Sequence, residues 1–226
     1  MNKLFDINST GKFFFLFLST TLLIGFFLNE DLSTGGATSD FYNTLDYKLS
    51  LKENFFFSIN NAHEWTDEFP FHHMLLSSLF YLFEREYWIR LVYCILSLLV
   101  PFLFYLNLKE KFKNLNQNFL LFLASIIFIL PSFRYSAIWA NSNISAIIFF
   151  LLSTLFFLKW DRGENCINLK IILSIIFLSL AVYCRQEYAI IFIYLMIVFY
   201  QKLKFFDFIK LSAIVFIFSL PGILIY

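Results

Sequence analysis

Ionisable and polar side chains are concentrated in four short segments that separate long apolar runs. Ionisable groups at the boundary of an apolar layer cost free energy unless they are paired or hydrated, so such a concentration suggests a functional site. The first segment, 33–42, places Gly35 and Gly36 ahead of Asp40. Paired glycines permit a close backbone approach, and Ser39 or Asp40 could cap a short helix. Asp40 is therefore either a functional carboxylate or only a helix cap.

The second segment, 63–73, combines carboxylates with histidines. Its candidate ligand-binding residues are Glu64, Asp67, Glu68, His72 and His73. Such side chains could hold a divalent metal ion or grip a phosphate, although the spacing matches no strict metal-binding motif such as HExxH. The alternative is a hydrated loop whose histidines lie among lipid headgroups. The sequence leaves a metal requirement open.

The third segment, 131–143, and the fourth, 185–187, each contain an arginine near the end of an apolar run. Their candidate residues are Arg134, Asn141, Asn143, Arg185, Gln186 and Glu187. An arginine at the end of an apolar helix can simply extend its charge to the headgroups, and a tight turn explains the polarity of 185–187. The planar guanidinium of Arg185 would also suit a phosphate group.

Helices are expected to position these segments, because the chain is 60% hydrophobic and only 15% charged. Apolar runs long enough for an α-helix to cross about 30 Å of hydrocarbon recur along the sequence. We predict an all-α, polytopic transmembrane bundle that forms a single domain over residues 1–226, with about seven spans. The predicted spans are 13–28, 88–106, 119–135, 144–158, 169–184, 188–200 and 209–226.

The distribution of lysine and arginine predicts the orientation of this bundle, because these residues are retained on the cytoplasmic side of short loops. Most of them fall in cytoplasmic segments if the marginal apolar stretch 69–83 lies at the interface without crossing. Residues 29–87 then form an external loop with juxtamembrane helices, and all four polar segments lie on the non-cytoplasmic face. No basic cluster is interleaved with aromatic residues, which argues against nucleic-acid binding.

In their order along the chain, these features resemble the GT-C class of membrane glycosyltransferases, which includes protein O-mannosyltransferases and the aminoarabinose transferase of lipid A. Ser39-Asp40-Phe41-Tyr42 stands where that class has an acidic residue that opens a juxtamembrane helix. The stretch 69–76 begins Phe-Pro-Phe-His-His and resembles the His/Pro-rich motif that opens a second one. Arg90-Leu91-Val92 and Leu130-Pro131-Ser132-Phe133 resemble its Arg-Leu and Ser-Pro elements.

The sequence also departs from this class. Phe41 replaces the glutamate of the usual Asp-Glu pair, and Asn141 or Asn143 replaces an acidic residue that usually follows the third span. Chains of this class are usually longer, and this sequence stops within an apolar run at Tyr226. We therefore expect a truncated or divergent member.

The resemblance implies that a sugar is transferred from a polyprenyl-phosphate carrier to a hydroxyl of a glycan, lipid or protein acceptor, outside the cytoplasm. Such a reaction needs a base for the hydroxyl proton and cations for the departing phosphate. The resemblance assigns Asp40 as the base, with Arg185 and Arg134 at the phosphate. The other candidate residues would bind the substrate or a divalent metal ion.

Other functions remain open for the sequence. A non-enzymatic lipid-glycan transporter or a membrane scaffold would also need many spans, although a transporter should place polar residues near the middle of the membrane. A glycan polymerase or ligase that uses a diphosphate-linked lipid would share the compartment. High use of Phe, Ile, Asn and Lys is typical of an AT-rich genome and predicts a bacterial inner membrane, with a periplasmic active face.

Overall fold

The computed structural model describes residues 7–62, 70–83, 85–162 and 166–225, and every regular element in these ranges is a helix. The first part of the chain forms α1 (Ile7–Phe27), α2 (Gly36–Asn43), α3 (Leu45–Glu53), α4 (Phe55–Asn60) and α5 (Phe71–Phe80). The remaining α-helices are α6 (Glu86–Ser97), α7 (Leu99–Lys111), α8 (Gln117–Ser125), α9 (Pro131–Ile138), α10 (Ser142–Asp161), α11 (Leu169–Cys184), α12 (Ala189–Lys202) and α13 (Phe205–Ile225), and two short 3-10 helices span Ile126–Ile129 and Gln186–Tyr188. The all-α prediction is confirmed for the described residues.

Three helical stretches in these ranges are long and apolar enough to cross a membrane: Thr10–Phe27, Glu86–Lys111 and Ser142–Asp161. The second of them combines α6 and α7. A fourth would be the pair Gln117–Ile129 and Pro131–Ile138, which is bent by 69°. Leu169–Cys184 is also apolar but has only 16 residues. The chain thus has the composition of a membrane protein with three or four helices that could span the bilayer, and the larger number remains a prediction.

The bend within the predicted span 119–135 has a local cause. Proline has no backbone N–H to continue a helix, and it disfavours the helical conformation of the residue before it. Leu130 accordingly has extended backbone angles, with φ −67° and ψ 120°, and Pro131 begins α9. The short helix α9 therefore departs from the direction of α8.

Interhelical hydrogen bonds link α10 to both of its main neighbours. The Ser153 hydroxyl donates to the carbonyl oxygen of Ser174 in α11 at 2.7 Å. The buried Asn107 amide of α7 donates to the carbonyl oxygen of Leu151 at 2.9 Å. Polar contacts of this kind stabilise helix pairs in apolar surroundings, where apolar packing alone discriminates poorly between arrangements. They fix the position of α10 between α7 and α11.

An ion pair connects α9 to the end of α1. The Nε and Nη2 atoms of Arg134 each donate to one carboxylate oxygen of Glu30 at 2.6 Å, and Nη2 also donates to the Thr21 carbonyl oxygen at 3.0 Å. Gly25 makes room for this pair, because a Cβ there would lie 2.4 Å from Glu30 Oε2 and 2.8 Å from Arg134 Nη2. The bidentate geometry makes this a stronger contact than an ordinary surface ion pair.

The connections between helices lie at two ends of the bundle. At one end, Arg162 Nη1 lies 2.6 Å from Glu110 Oε1, which joins the ends of α10 and α7. Lys202 at the end of α12 pairs with Asp161 at 2.6 Å. We call this lysine-rich end, comprising 107–116, 159–162 and 202–204, the basic end. The short helices α2 to α5 pack near the opposite end, around the turn between α9 and α10.

Replacing Glu30 by Gln should lower the free energy of unfolding by about 1–3 kcal/mol, because the neutral amide cannot accept from both guanidinium nitrogens of Arg134. Glu53→Gln makes the same chemical change at the exposed end of α3 and is the matched control. Thermal unfolding in detergent measures both. Equal melting temperatures for the two variants and the unsubstituted protein would contradict this role of Glu30.

Candidate functional site

A cavity of about 300 Å³ lies at the end of the bundle opposite the basic end. Its lining includes five residues that the sequence singled out: Asp40, His72, His73, Asn141 and Arg185. Lys48, Trp139 and Ala140 also line it. Residues from all four predicted polar segments, far apart in sequence, therefore meet in one place.

The helix that carries Asp40 begins earlier than the sequence suggested. α2 starts at Gly36, after Gly35 with φ 94°, so Asp40 lies inside the helix and is not its cap. Asp31 performs the capping role instead. Its Oδ2 accepts from the backbone N–H and the hydroxyl of Thr38 at 2.9 and 2.6 Å, and its Oδ1 accepts from both corresponding groups of Ser33. Partial burial raises the pKa of Asp31, but these hydrogen bonds outweigh it and lower the pKa to about 2.

Lys48 of α3 is the most buried cation of the cavity, with 1% of its surface exposed. Its ammonium donates to the Phe41 carbonyl oxygen at 3.0 Å and lies 4.1 Å from the centre of the Phe41 ring. Burial lowers the pKa of Lys48 to about 7, although the negative charges of Glu86 and Asp40 oppose this effect. Within the described residues no carboxylate forms an ion pair with it. Near neutral pH, Lys48 can therefore be charged or neutral.

Three side chains hold the turn between α9 and α10 by its backbone carbonyls. Arg90 Nε donates to the Ile138 oxygen at 3.1 Å, and the Tyr93 hydroxyl donates to the Asn141 oxygen at 2.9 Å. His72 Nε2 lies 2.9 Å from the Ala140 oxygen. Since a carbonyl only accepts, this nitrogen of His72 carries the hydrogen. Every buried carbonyl that is paired in this way avoids a desolvation cost of about 1–3 kcal/mol.

The turn itself has an unusual backbone conformation. Ala140 has φ 50°, in the left-handed region that non-glycine residues seldom adopt. Strain of this kind persists only where the surroundings determine the conformation, and it is concentrated at functional sites. Next to it, Trp139 Nε1 donates to the Glu30 carbonyl oxygen at 3.0 Å, and the Arg90 guanidinium lies 3.6 Å from the centre of the Trp139 ring. The cavity wall is therefore rigid at this turn.

The two adjacent histidines have different roles. Both ring nitrogens of His72 are used within the protein, because Nδ1 also lies 3.1 Å from the Ser145 hydroxyl. His72 is thus a poor metal ligand and holds the turn. His73 is 8% exposed, lines the cavity, and has an Nδ1 atom without a hydrogen-bond partner among the described residues. Burial, with a smaller effect from the charge of Lys48, lowers the pKa of His73 to about 3, so its imidazole is neutral.

Several predicted site residues lie elsewhere. Arg134 is bound by Glu30 in the ion pair described above, so its charge is already compensated away from the cavity. Asn143 lies in the first turn of α10, where its backbone N–H donates to Asn141 Oδ1. Gln186 and Glu187 form the exposed turn after α11, and Glu187 accepts from Arg185 at 2.9 Å. These four do not join the described lining of the cavity.

The carboxylates of the second polar segment, Glu64, Asp67 and Glu68, lie outside the described residues. A metal site involving them is therefore still only a prediction. Within 7–62, 70–83, 85–162 and 166–225, no three His, Cys, Asp or Glu side chains are grouped closely enough to hold a metal ion.

Lys48 is the principal residue that sequence reasoning missed. A single lysine in a long polar connection resembles an ordinary solvated charge. The available signal was helical periodicity, because Lys48 falls on the same face of α3 as Tyr47 and Leu51, which are both buried. A charged residue on an apolar face is expensive to bury and therefore suggests a functional role.

Comparisons of the chain with protein-family models, with characterised proteins and with solved structures find no match. The geometry of the cavity is thus the main guide to function.

Replacing His72 by Phe should destabilise the protein by about 2–4 kcal/mol, because it leaves the Ala140 carbonyl and the Ser145 hydroxyl without their shared partner. His73→Phe is the matched control, since it removes the Nδ1 atom, which has no partner among the described residues, and it should leave the melting temperature unchanged or slightly raised. Thermal unfolding in detergent compares the two. A larger drop in melting temperature for His73→Phe than for His72→Phe would contradict this division of roles.

Proposed function

We propose that this protein is a membrane glycosyltransferase that moves a sugar from a polyprenyl-phosphate carrier to an acceptor hydroxyl, with the cavity as its active site. The observation that carries the proposal is the charge arrangement within that cavity. One exposed carboxylate, Asp40, shares the lining with two cationic side chains, Lys48 and Arg185. A carboxylate beside basic side chains suits a reaction in which a hydroxyl loses its proton and a phosphate departs, and Arg185 would exchange its contact with Glu187 for the phosphate.

Different residues of the cavity would act on the acceptor hydroxyl and on the departing phosphate. Asp40 accepts the proton of the acceptor hydroxyl as its oxygen forms a bond to the anomeric carbon of the sugar. The bond from that carbon to the carrier phosphate breaks, and its electron pair leaves with the phosphate. Lys48 and Arg185 bind the phosphate oxygens, Arg185 through its planar fork of donors.

His73 supports a role for the cavity in sugar binding. A neutral imidazole can donate to or accept from a hydroxyl group, and the Nδ1 atom of His73 has no such partner in the described part of the chain. A buried polar atom without a partner costs free energy, which a bound hydroxyl would recover. We propose that His73 and Asn141 contact hydroxyl groups of the sugar.

The proposal includes a membrane topology. We propose about seven spans, with α2 to α5 lying at the non-cytoplasmic surface and the cavity opening there. The basic end then faces the cytoplasm, in agreement with the retention of lysine and arginine on that side. For a bacterial source, the cavity would be periplasmic and the acceptor would belong to the cell envelope.

Asp40→Asn should reduce sugar transfer by about 10²–10⁴-fold, because the amide cannot take up the acceptor proton. The assay measures transfer from radiolabelled polyprenyl-phosphate sugars to endogenous acceptors in membranes that contain the protein. Asp46→Asn, the same change at an exposed position of the neighbouring helix α3, is the control and should retain activity. Transfer at the unsubstituted rate by Asp40→Asn, at equal protein levels, would refute the base assignment. Absence of transfer by the unsubstituted protein with every carrier sugar tried would refute the proposed glycosyltransferase activity.

Lys48→Met should raise the melting temperature by about 2–4 °C or more while it weakens binding of a polyprenyl-phosphate sugar. The gain arises because a buried cation that has no ion-pair partner among the described residues is replaced by an apolar side chain of similar shape. Lys52→Met, one turn further along α3, is the control and should change neither property strongly. Scanning calorimetry and a binding titration measure the two effects. Unchanged affinity in Lys48→Met would contradict the phosphate contact.

Binding should also depend on pH. A sugar phosphodiester keeps a single negative charge between pH 6 and 9, whereas Lys48 loses its proton as the pH rises through about 7. A bound phosphate favours the protonated amine, so affinity should be highest below pH 7 and fall by up to about tenfold for each pH unit above it. Titrations from pH 6 to 9 test this, and Lys48→Met should show a flat profile.

A further inference from the structure

A second cavity, of about 350 Å³, lies at the basic end. It is formed by the end of α7, the start of α8 and the last turns of α10. Its inner wall is apolar and includes Leu106, Leu120 and Leu155. Pockets that bind small ligands have volumes of about 300–1,000 Å³, so this cavity is large enough for a lipid headgroup.

The charged residues of this cavity are mostly cationic. Lys109, Lys113 and Lys159 line it, and all three are exposed. Glu110 is its one acidic lining residue within the described ranges, and its carboxylate is already bound by Arg162 at 2.6 Å. None of the three lysines forms an ion pair with a described residue. Their positive charge is therefore available to an external anion.

We propose that this cavity binds an anionic phospholipid. The phosphate lies among Lys109, Lys113 and Lys159, and the upper parts of the acyl chains lie against the exposed side chains of Phe112 and Leu115. Basic pockets between the ends of membrane helices bind anionic headgroups in this way. A soluble phosphate would use the lysines but leave the exposed apolar side chains Phe112 and Leu115 in water, so the combination of cationic and apolar lining favours a lipid. The proposal is independent of the glycosyltransferase proposal, because it concerns the opposite end of the bundle.

The test uses the purified protein in zwitterionic detergent, titrated with fluorescent phosphatidylglycerol. Lys113→Gln combined with Lys159→Gln should weaken binding by about 25-fold, since each lysine near a lipid phosphate contributes about fivefold. The matched control combines Lys170→Gln with Lys204→Gln, which removes the same charge from exposed positions outside the cavity. The control should bind as the unsubstituted protein does.

Competition distinguishes the ligand classes. Unlabelled phosphatidylglycerol should displace the probe at micromolar concentration, whereas phosphatidylcholine and glycerol phosphate should not. Equal weakening in the two double variants would overturn the site, because the attraction would then be a general effect of charge. Displacement by glycerol phosphate as effective as displacement by the lipid would overturn the choice of a lipid ligand. The folded state of each variant is checked by its melting temperature.

Discussion

Buried backbone carbonyls have to be hydrogen-bonded, and this constraint governs the turn on which the candidate site is built. The chain reverses between α9 and α10 with Ile138 and Ala140 almost fully buried, so water has little access to satisfy the backbone carbonyls of this turn. Side chains from two other helices, α5 and α6, do so instead. The position of each of these helices is therefore tied to the same short segment. The cavity wall keeps its shape because helices from distant parts of the sequence are hydrogen-bonded to this one turn.

The need to compensate buried polar groups also explains the distribution of charge. Arg134 and Glu30 compensate each other where α1 meets α9, and Arg162 and Glu110 do so at the basic end. Lys48 differs, because it is almost fully buried and its main hydrogen bond within the described chain is to a neutral carbonyl. A protein retains such a cation against its cost in stability when the charge has a use. The proposed use is to hold a phosphate.

Local patterns predicted much of the fold. The apolar run 169–184 has the same bounds as α11, and the other predicted spans each contain or overlap a helix. The polar segments also predicted several cavity residues, because Asp40, His72 and Arg185 stand out against apolar surroundings. The pairing of Arg134 with Glu30 could not be predicted, because it joins residues 104 positions apart. The burial of Lys48 and the occupied ring nitrogens of His72 likewise depend on tertiary packing.

On the proposed function, the cavity beside the 138–141 turn binds the phosphate of a lipid-linked sugar. Photoaffinity labelling with a diazirine-bearing polyprenyl-phosphate sugar, followed by peptide mapping, tests it most directly. The label should be found in peptides containing residues 36–48 and 139–142, and an excess of unlabelled carrier sugar should prevent the labelling. Labelling confined to the basic end, or labelling of these peptides that the unlabelled compound does not reduce, would contradict it.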